Sequence, residues 1–193
     1  IQLQPSIVIS SDRIINLDSL INKLGIKQSN TQQSVYCFPN KKLKTATMDR
    51  DIVQSTLTQL YSSQISLMSK NYYALRILTM VLGQLPSSLF FQEIREKHSL
   101  CYAISASLMS SEGLMLVQTG IDYKNVEQVK LLIDEQLKRL RDGDFPQKLL
   151  DSAKRLYIQN MERIDEDRNA YLTLLHQYQL MSKEFNFVEL KKS

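Results

Sequence analysis

The strongest constraint on this chain is a change of hydrophobic period within one stretch, Ser87 to Tyr102 (SSLFFQEIREKHSLCY), and the residues just after it. Leu89, Phe90 and Ile94 are spaced to share one buried face of an amphipathic helix. From Cys101 to Leu108 the period falls to two, which puts Tyr102, Ile104, Ala106 and Leu108 on one side of a half-buried strand. The stretch is therefore expected as a short helix joined to a strand by a tight connection. Arg95 lies near the end of the helix and Tyr102 near the start of the strand.

The rest of the chain supplies elements around this one. Ser6 to Ser10 (SIVIS) and Ser34 to Phe38 (SVYCF) read as short apolar strands. Between them LDSLINKLG is a helix with Asn16 or Asp18 as its cap and Gly25 as its left-handed stop. Lys42 to Met48 and Ile52 to Ser62 read as strands joined at MDRD, with Val53, Leu57 and Tyr61 on one face and Leu60 on the other. Ser69 is expected to cap a strongly apolar helix, NYYALRILTMVLG, closing near Gly83 and buried at the centre of the domain. Strands Tyr102 to Met109 and Leu114 to Ile121 join through the turn SSEG. Asn125 to Arg141 is the cleanest amphipathic helix, ended by Gly143. Pro146 restarts a helical pattern that runs to about Ser182, with a break expected in the charged run Arg163 to Asn169. This order favours an α+β fold in which helices pack on one face of an antiparallel sheet.

With 193 residues, 43% hydrophobic and 23% charged, the chain is expected to form a single domain over residues 1–193. No apolar run approaches the roughly 18 residues that a membrane helix needs, so no membrane partner is expected. The opening IQLQPSIVIS has neither a basic leader nor a small-residue cleavage site and starts without methionine, which suggests a fragment of a longer chain or a processed product. The net charge of +4 is scattered except at Lys41, Lys42, Lys44, Lys191 and Lys192. No nucleic-acid motif accompanies it, so nucleic acid is not expected as a partner. Cys37 and Cys101 are far apart in strand-like segments and read as free thiols, which points to a reducing compartment and the cytoplasm.

Chemistry is sparse. The two histidines, His98 and His176, belong to no HxxEH or HExxH pattern, whereas a catalytic zinc needs about three protein ligands. No nucleophile elbow, P-loop or dinucleotide glycine pattern appears. Asp165, Glu166 and Asp167 are consecutive and point around a helix rather than converging. That leaves Arg95 and Tyr102. They read either as an exposed helical arginine and a half-buried strand tyrosine, or as two hydrogen-bond donors for a peptide carbonyl or a developing oxyanion.

Leu82, Gly83, Ser87, Ser88, Leu89, Phe90, Glu93, Arg95, Glu96, Lys97, Leu100 and Tyr102, in LGQLPSSLFFQEIREKHSLCYAISASL, stand in the register of a known pattern. The stretch resembles the second, non-zinc domain of the insulinase/pitrilysin-type metallopeptidases, the family with the inverted zinc motif. The resemblance covers about residues 34–182, taking in the preceding apolar helix, the SSEGLMLVQTGID hairpin and DGDFPQKLLDSAKRLYIQNM. Cys101 stands where the family often has glycine.

The resemblance implies a ferredoxin-like, metallohydrolase-like half of a clamshell peptidase. It implies that Arg95 and Tyr102 match the arginine and tyrosine that reach across the chamber to bind substrate and stabilise the tetrahedral intermediate. The zinc would be held by an N-terminal zinc-binding domain or partner subunit, and the substrate would be a peptide. This chain would hold no metal or cofactor itself and would be inactive alone. The alternative it leaves open is a non-catalytic partner domain used for assembly or peptide handling.

Overall fold

A computed structural model describes residues 16–25, 44–49, 54–67, 69–164 and 166–180. The expected strands SIVIS and SVYCF, the second half of the MDRD turn, Cys37, Asp165 and the tail after Lys183 lie outside the described residues. The chain divides into two compact units, residues 1–34 with 160–193, and residues 35–159.

In the first unit, α1 (Leu17–Leu24) starts as expected from Asn16, whose Oδ1 accepts from the Ser19 amide at 3.0 Å, and stops at Gly25 with φ 63°. This unit also holds the end of α4 (Gln147–Arg163) and α5 (Arg168–Leu180). The expected break between these two helices falls at residues 164–167. There the Asp167 carboxylate accepts from the amides of Asn169 at 3.0 Å and Ala170 at 3.1 Å, satisfying donors of the new helix.

The second unit is built on a three-stranded antiparallel sheet of β1 (Ser55–Ser62), β2 (Cys101–Met109) and β3 (Leu114–Ile121), with β3 in the middle. The β2–β3 hairpin turns through Gly113 at φ 65°, whose carbonyl also accepts from the Ser63 amide at 2.9 Å and the Ser63 hydroxyl at 2.8 Å. That bond set moors the end of β1 to the hairpin. Alternation is clean in β1: Leu57 and Tyr61 turn inward, while Leu60 is exposed on the other face. The described strand starts at Ser55, Ile52 and Val53 lying outside the described residues; residues 44–49 carry no regular structure, so the described part of the expected Lys42–Met48 strand is not one.

Helices cover one face of the sheet. α2 (Tyr72–Gly83) packs Met80, Val81 and Leu82 on it, α3 (Val126–Asp142) contributes Val129, Leu132 and Ile133, and α4 contributes Leu149 and Ala153. They meet Ile104 and Ala106 of β2 and Met115, Val117 and Ile121 of β3 in one core. Ser69 does not cap α2. Its hydroxyl accepts from the Ser66 amide at 3.1 Å, and the position before the helix is Asn71, which makes no side-chain cap bond. α3 ends, as its sequence indicates, at Gly143 with φ 72°.

Gly83 is fixed by close approach. A methyl group there would stand 2.7 Å from the Ala106 amide nitrogen and 3.0 Å from both Ala106 Cβ and Phe90 Cδ2. Next to it, Gln84 Nε2 donates to the Ala106 carbonyl at 2.9 Å, so the end of α2 sits directly against β2. Gly83→Ala is therefore expected to destabilise the fold by about 1–3 kcal/mol through overpacking. That is the reverse of the gain an unhindered helical site would show. A midpoint unchanged or raised in urea unfolding would refute the close-approach account.

Candidate functional site

The stretch that the sequence singled out is helical, but not in the ordinary way. Residues Phe91–Lys97 form a π-helix, and its exit is tightened by Ser99 N–H donating to the Arg95 carbonyl at 3.0 Å and Leu100 N–H to the Ile94 carbonyl at 3.1 Å. Ser99 takes φ 52° to turn the chain into β2. Phe90 and Ile94 are fully buried and Leu89 nearly so, as their spacing requires, and they anchor the helix in the core. Arg95 then lies on the outer side, with its side chain 42% exposed. Its Cζ sits 4.4 Å from the centroid of the Phe91 ring, and its Nε is 3.8 Å from Glu96 Oε1.

Tyr102 departs from the period-two reading. Cys101 pairs with Ile121 and Ala103 with Gly120, so Tyr102 is the extra residue of a β-bulge. Cys101 turns inward and is buried, and Tyr102 turns out, 84% exposed, instead of sharing the face of Ile104 and Ala106. The bulge is pinned from below by Thr119, whose hydroxyl donates to the Ala103 carbonyl at 2.9 Å. The Tyr102 hydroxyl has no hydrogen-bond partner among the described residues, which leaves a donor and acceptor free for a ligand.

Both predicted site residues thus stand exposed on either side of the helix-to-strand connection. No hydrogen bond or ion pair joins them among the described residues. Between them, burial pushes the Cys101 thiol up, while the Thr119 hydroxyl and then the charge of Arg95 act in the opposite direction.

The inner side of the π-helix is held by Glu93. Its Oε1 accepts from Lys97 Nζ at 2.6 Å and lies 3.3 Å from His98 Nε2. The hydrogen bond from Lys97 is the main cause that holds this carboxyl below the usual glutamate range, and burial opposes it. A carboxyl with a depressed folded-state pKa contributes stability that is present above its unfolded pKa and is lost as pH falls through the folded one. Glu93→Gln should consequently melt below the wild type at neutral pH, by a small margin because the pair is at the surface. The difference should close as pH drops beneath the ordinary glutamate range. Thermal melts across a pH series check this, and a gap that persists in acid would contradict it.

Zinc, which the family resemblance implies, finds no donor set here. Among the described residues no three His, Cys, Asp or Glu side chains gather to hold a metal ion. His98 is committed to Glu93, and His176 lies in α5. Behind the π-helix, toward the α3–α4 turn, an open cleft of about 420 Å³ is lined by Leu89, Gln92, Glu93, Arg139, Lys148 and Leu149. Arg139 is occupied there by Asp144 at 2.9 Å and Gln136 at 3.0 Å. Among the described residues no helix is long and apolar enough to cross a membrane.

Sequence reasoning missed Phe91. Its spacing of four from Arg95 was the available signal, since residues so placed are neighbours on a helix surface.

Comparison with known proteins places the chain in a family. The profile described as Peptidase M16 inactive domain matches residues 9–157. Over 106 residues the chain is 33% identical to a Bacillus subtilis (strain 168) protein described as "Probable inactive metalloprotease YmfF". That match covers 55% of this chain and 25% of the relative, so the chain spans about a quarter of that protein. A conserved protein from Enterococcus faecalis V583 superposes with a TM-score of 0.74 at 28% identity, over 81% of this chain and 37% of the other. The peptidase M16 inactive domain from Pseudomonas fluorescens superposes with a TM-score of 0.53 at 20% identity, over 72% of this chain and 37% of the other, a likeness of fold alone.

Proposed function

The chain belongs to the Peptidase M16 inactive-domain family, and from that premise we propose that it serves as the substrate-handling domain of a longer, zinc-dependent peptidase. In this reading all 193 residues act as one domain. Arg95 and Tyr102 face a chamber whose other wall, an N-terminal zinc-binding domain or partner subunit, holds the metal. The single observation that carries the reading is the outward placement of both side chains by a π-turn and a β-bulge, two backbone irregularities that recur at functional sites.

The chemistry open to these residues is donation. A guanidinium offers planar N–H groups and a phenol one O–H, and both can bond a peptide carbonyl. Donors aimed at the carbonyl oxygen hold it more strongly once negative charge develops there. The metal, when bound by the other half, would supply Lewis acidity; none of this chain's residues takes that part. The three strands contain no charged residue. β2 lies at the edge of the described sheet. A neutral edge suits an extended peptide held by its main chain. Cytoplasmic residence fits the buried, unpaired Cys101.

The relative named as an inactive metalloprotease favours a second reading, in which the whole protein binds peptide without cleaving it. One experiment separates the two. The intact protein, supplied with zinc, is given an unstructured quenched peptide, and both cleavage and binding are followed. Zinc-dependent cleavage that falls by roughly 10²-fold or more in Tyr102→Phe, as expected on loss of a transition-state donor, supports the first reading. Binding without cleavage supports the second. Peptide affinity and cleavage both indifferent to Tyr102 would sink the site.

A further inference from the structure

The two phenylalanines of SSLFFQEIREK have different environments, although they are adjacent in sequence. Phe90 is fully buried and belongs to the core. Phe91 is half-buried and stands outside both the core and the partly buried residues packed against it. Its ring instead carries the Arg95 guanidinium, with Cζ 4.4 Å from the centroid. Arg95 also approaches Glu96 at 3.8 Å, between side chains 42% and 53% exposed. An ion pair of that length at the surface holds a long side chain weakly. A planar guanidinium on an aromatic face is held in orientation as well as in place.

We infer that Phe91 is the positioning residue for Arg95: its ring is a platform that fixes the plane and direction of the guanidinium before substrate arrives. This rests on the reading of Arg95 as a substrate donor. Its consequence is that an exposed arginine, which would otherwise sample many rotamers, presents its N–H groups in one orientation. Preorganisation of this kind lowers the ordering that binding must impose. Aromaticity, and not bulk or apolarity, is the property required at residue 91.

The test compares Phe91→Leu, which keeps an apolar side chain of similar reach, with Phe91→Tyr, which keeps the ring. In the intact protein labelled with 15N-arginine, the side-chain Nε–H signal of Arg95, assigned through Arg95→Lys, should be displaced by the ring current and show restricted motion. The displacement should vanish and the motion increase in Phe91→Leu, and both should be retained in Phe91→Tyr. Peptide turnover, or affinity if the protein only binds, should fall roughly 2- to 30-fold in Phe91→Leu, the factor equivalent to a cation–π contact of about 0.5–2 kcal/mol. It should recover in Phe91→Tyr. An Arg95 signal identical in wild type and Phe91→Leu would overturn the inference. So would an equal loss in Phe91→Leu and Phe91→Tyr. If the Arg95 signal responds as expected while Arg95→Ala leaves peptide handling intact, positioning stands and the reading of Arg95 as a donor fails. A circular-dichroism melt of each variant separates loss of the platform from loss of the fold.

Discussion

Arg95→Ala in the intact protein is expected to lower kcat for peptide hydrolysis by about 10²-fold, while leaving the melting temperature nearly unchanged. The size is that of losing one preorganised donor to a developing oxyanion, about 2.7–4 kcal/mol of transition-state stabilisation. The insensitivity of the fold follows from the side chain's position. It is 42% exposed, its ion pair with Glu96 is 3.8 Å long, and the ring it lies over is not part of the core. Surface substitutions of this sort stay within about 0.5 kcal/mol. Arg95→Lys should recover little, because an ammonium keeps the charge but not the planar fork of donors. The diagnostic pattern is therefore a loss in kcat with KM moving less and with no shift in melting. Full activity in Arg95→Ala would remove this residue from the site.

The second large effect is on stability. Phe90→Ala should cost about 3–5 kcal/mol, a substantial part of the 5–15 kcal/mol typical of a domain. Phe90 is among the largest fully buried side chains of the described residues. Its Cδ2 would stand only 3.0 Å from a methyl group at Gly83, so its ring is wedged against the end of α2 at the point where α2 meets β2. Backbone packed that closely cannot collapse to fill the space, and the cavity term should put the cost toward the upper end of the range. Because Phe90 and Ile94 are the buried anchors of the π-helix, peptide handling should fall along with stability, whereas in Arg95→Ala the two separate. Guanidinium unfolding gives the measurement, and a loss below about 1 kcal/mol would mean that this core relaxes far more freely than its packing indicates.

What was legible in the sequence was whatever neighbouring residues settle among themselves. Asn16 and Gly25 bound α1, Gly143 closes α3, and the charged run around Asp167 breaks the long C-terminal helix, each by bonds made within a few residues. The buried set Leu89, Phe90 and Ile94 followed from period, the β2–β3 hairpin from period and the SSEG turn, and the α+β class from the order of elements. The resemblance to a non-zinc peptidase domain rested on residues contiguous in the chain, and it holds.

Tertiary structure decided the rest. Ser69 had a capping residue's identity and position, but Ser66 took its hydroxyl, and the local rule lost to a competing local bond. Tyr102 was assigned the face of Ile104 and Ala106 because alternation has no means of marking a bulge. The extra residue exists only relative to Gly120 and Ile121 on the partner strand, whose register is set by pairing across the sheet. The π-turn likewise carries no period that a short sequence could display, and it is held by Leu100 bonding back to Ile94 as the chain leaves for β2. Identity and spacing named Arg95 and Tyr102, since those are properties of the chain. The outward direction of Tyr102 is a property of the sheet, because a side chain's orientation at a bulge depends on which backbone groups the partner strand leaves unpaired.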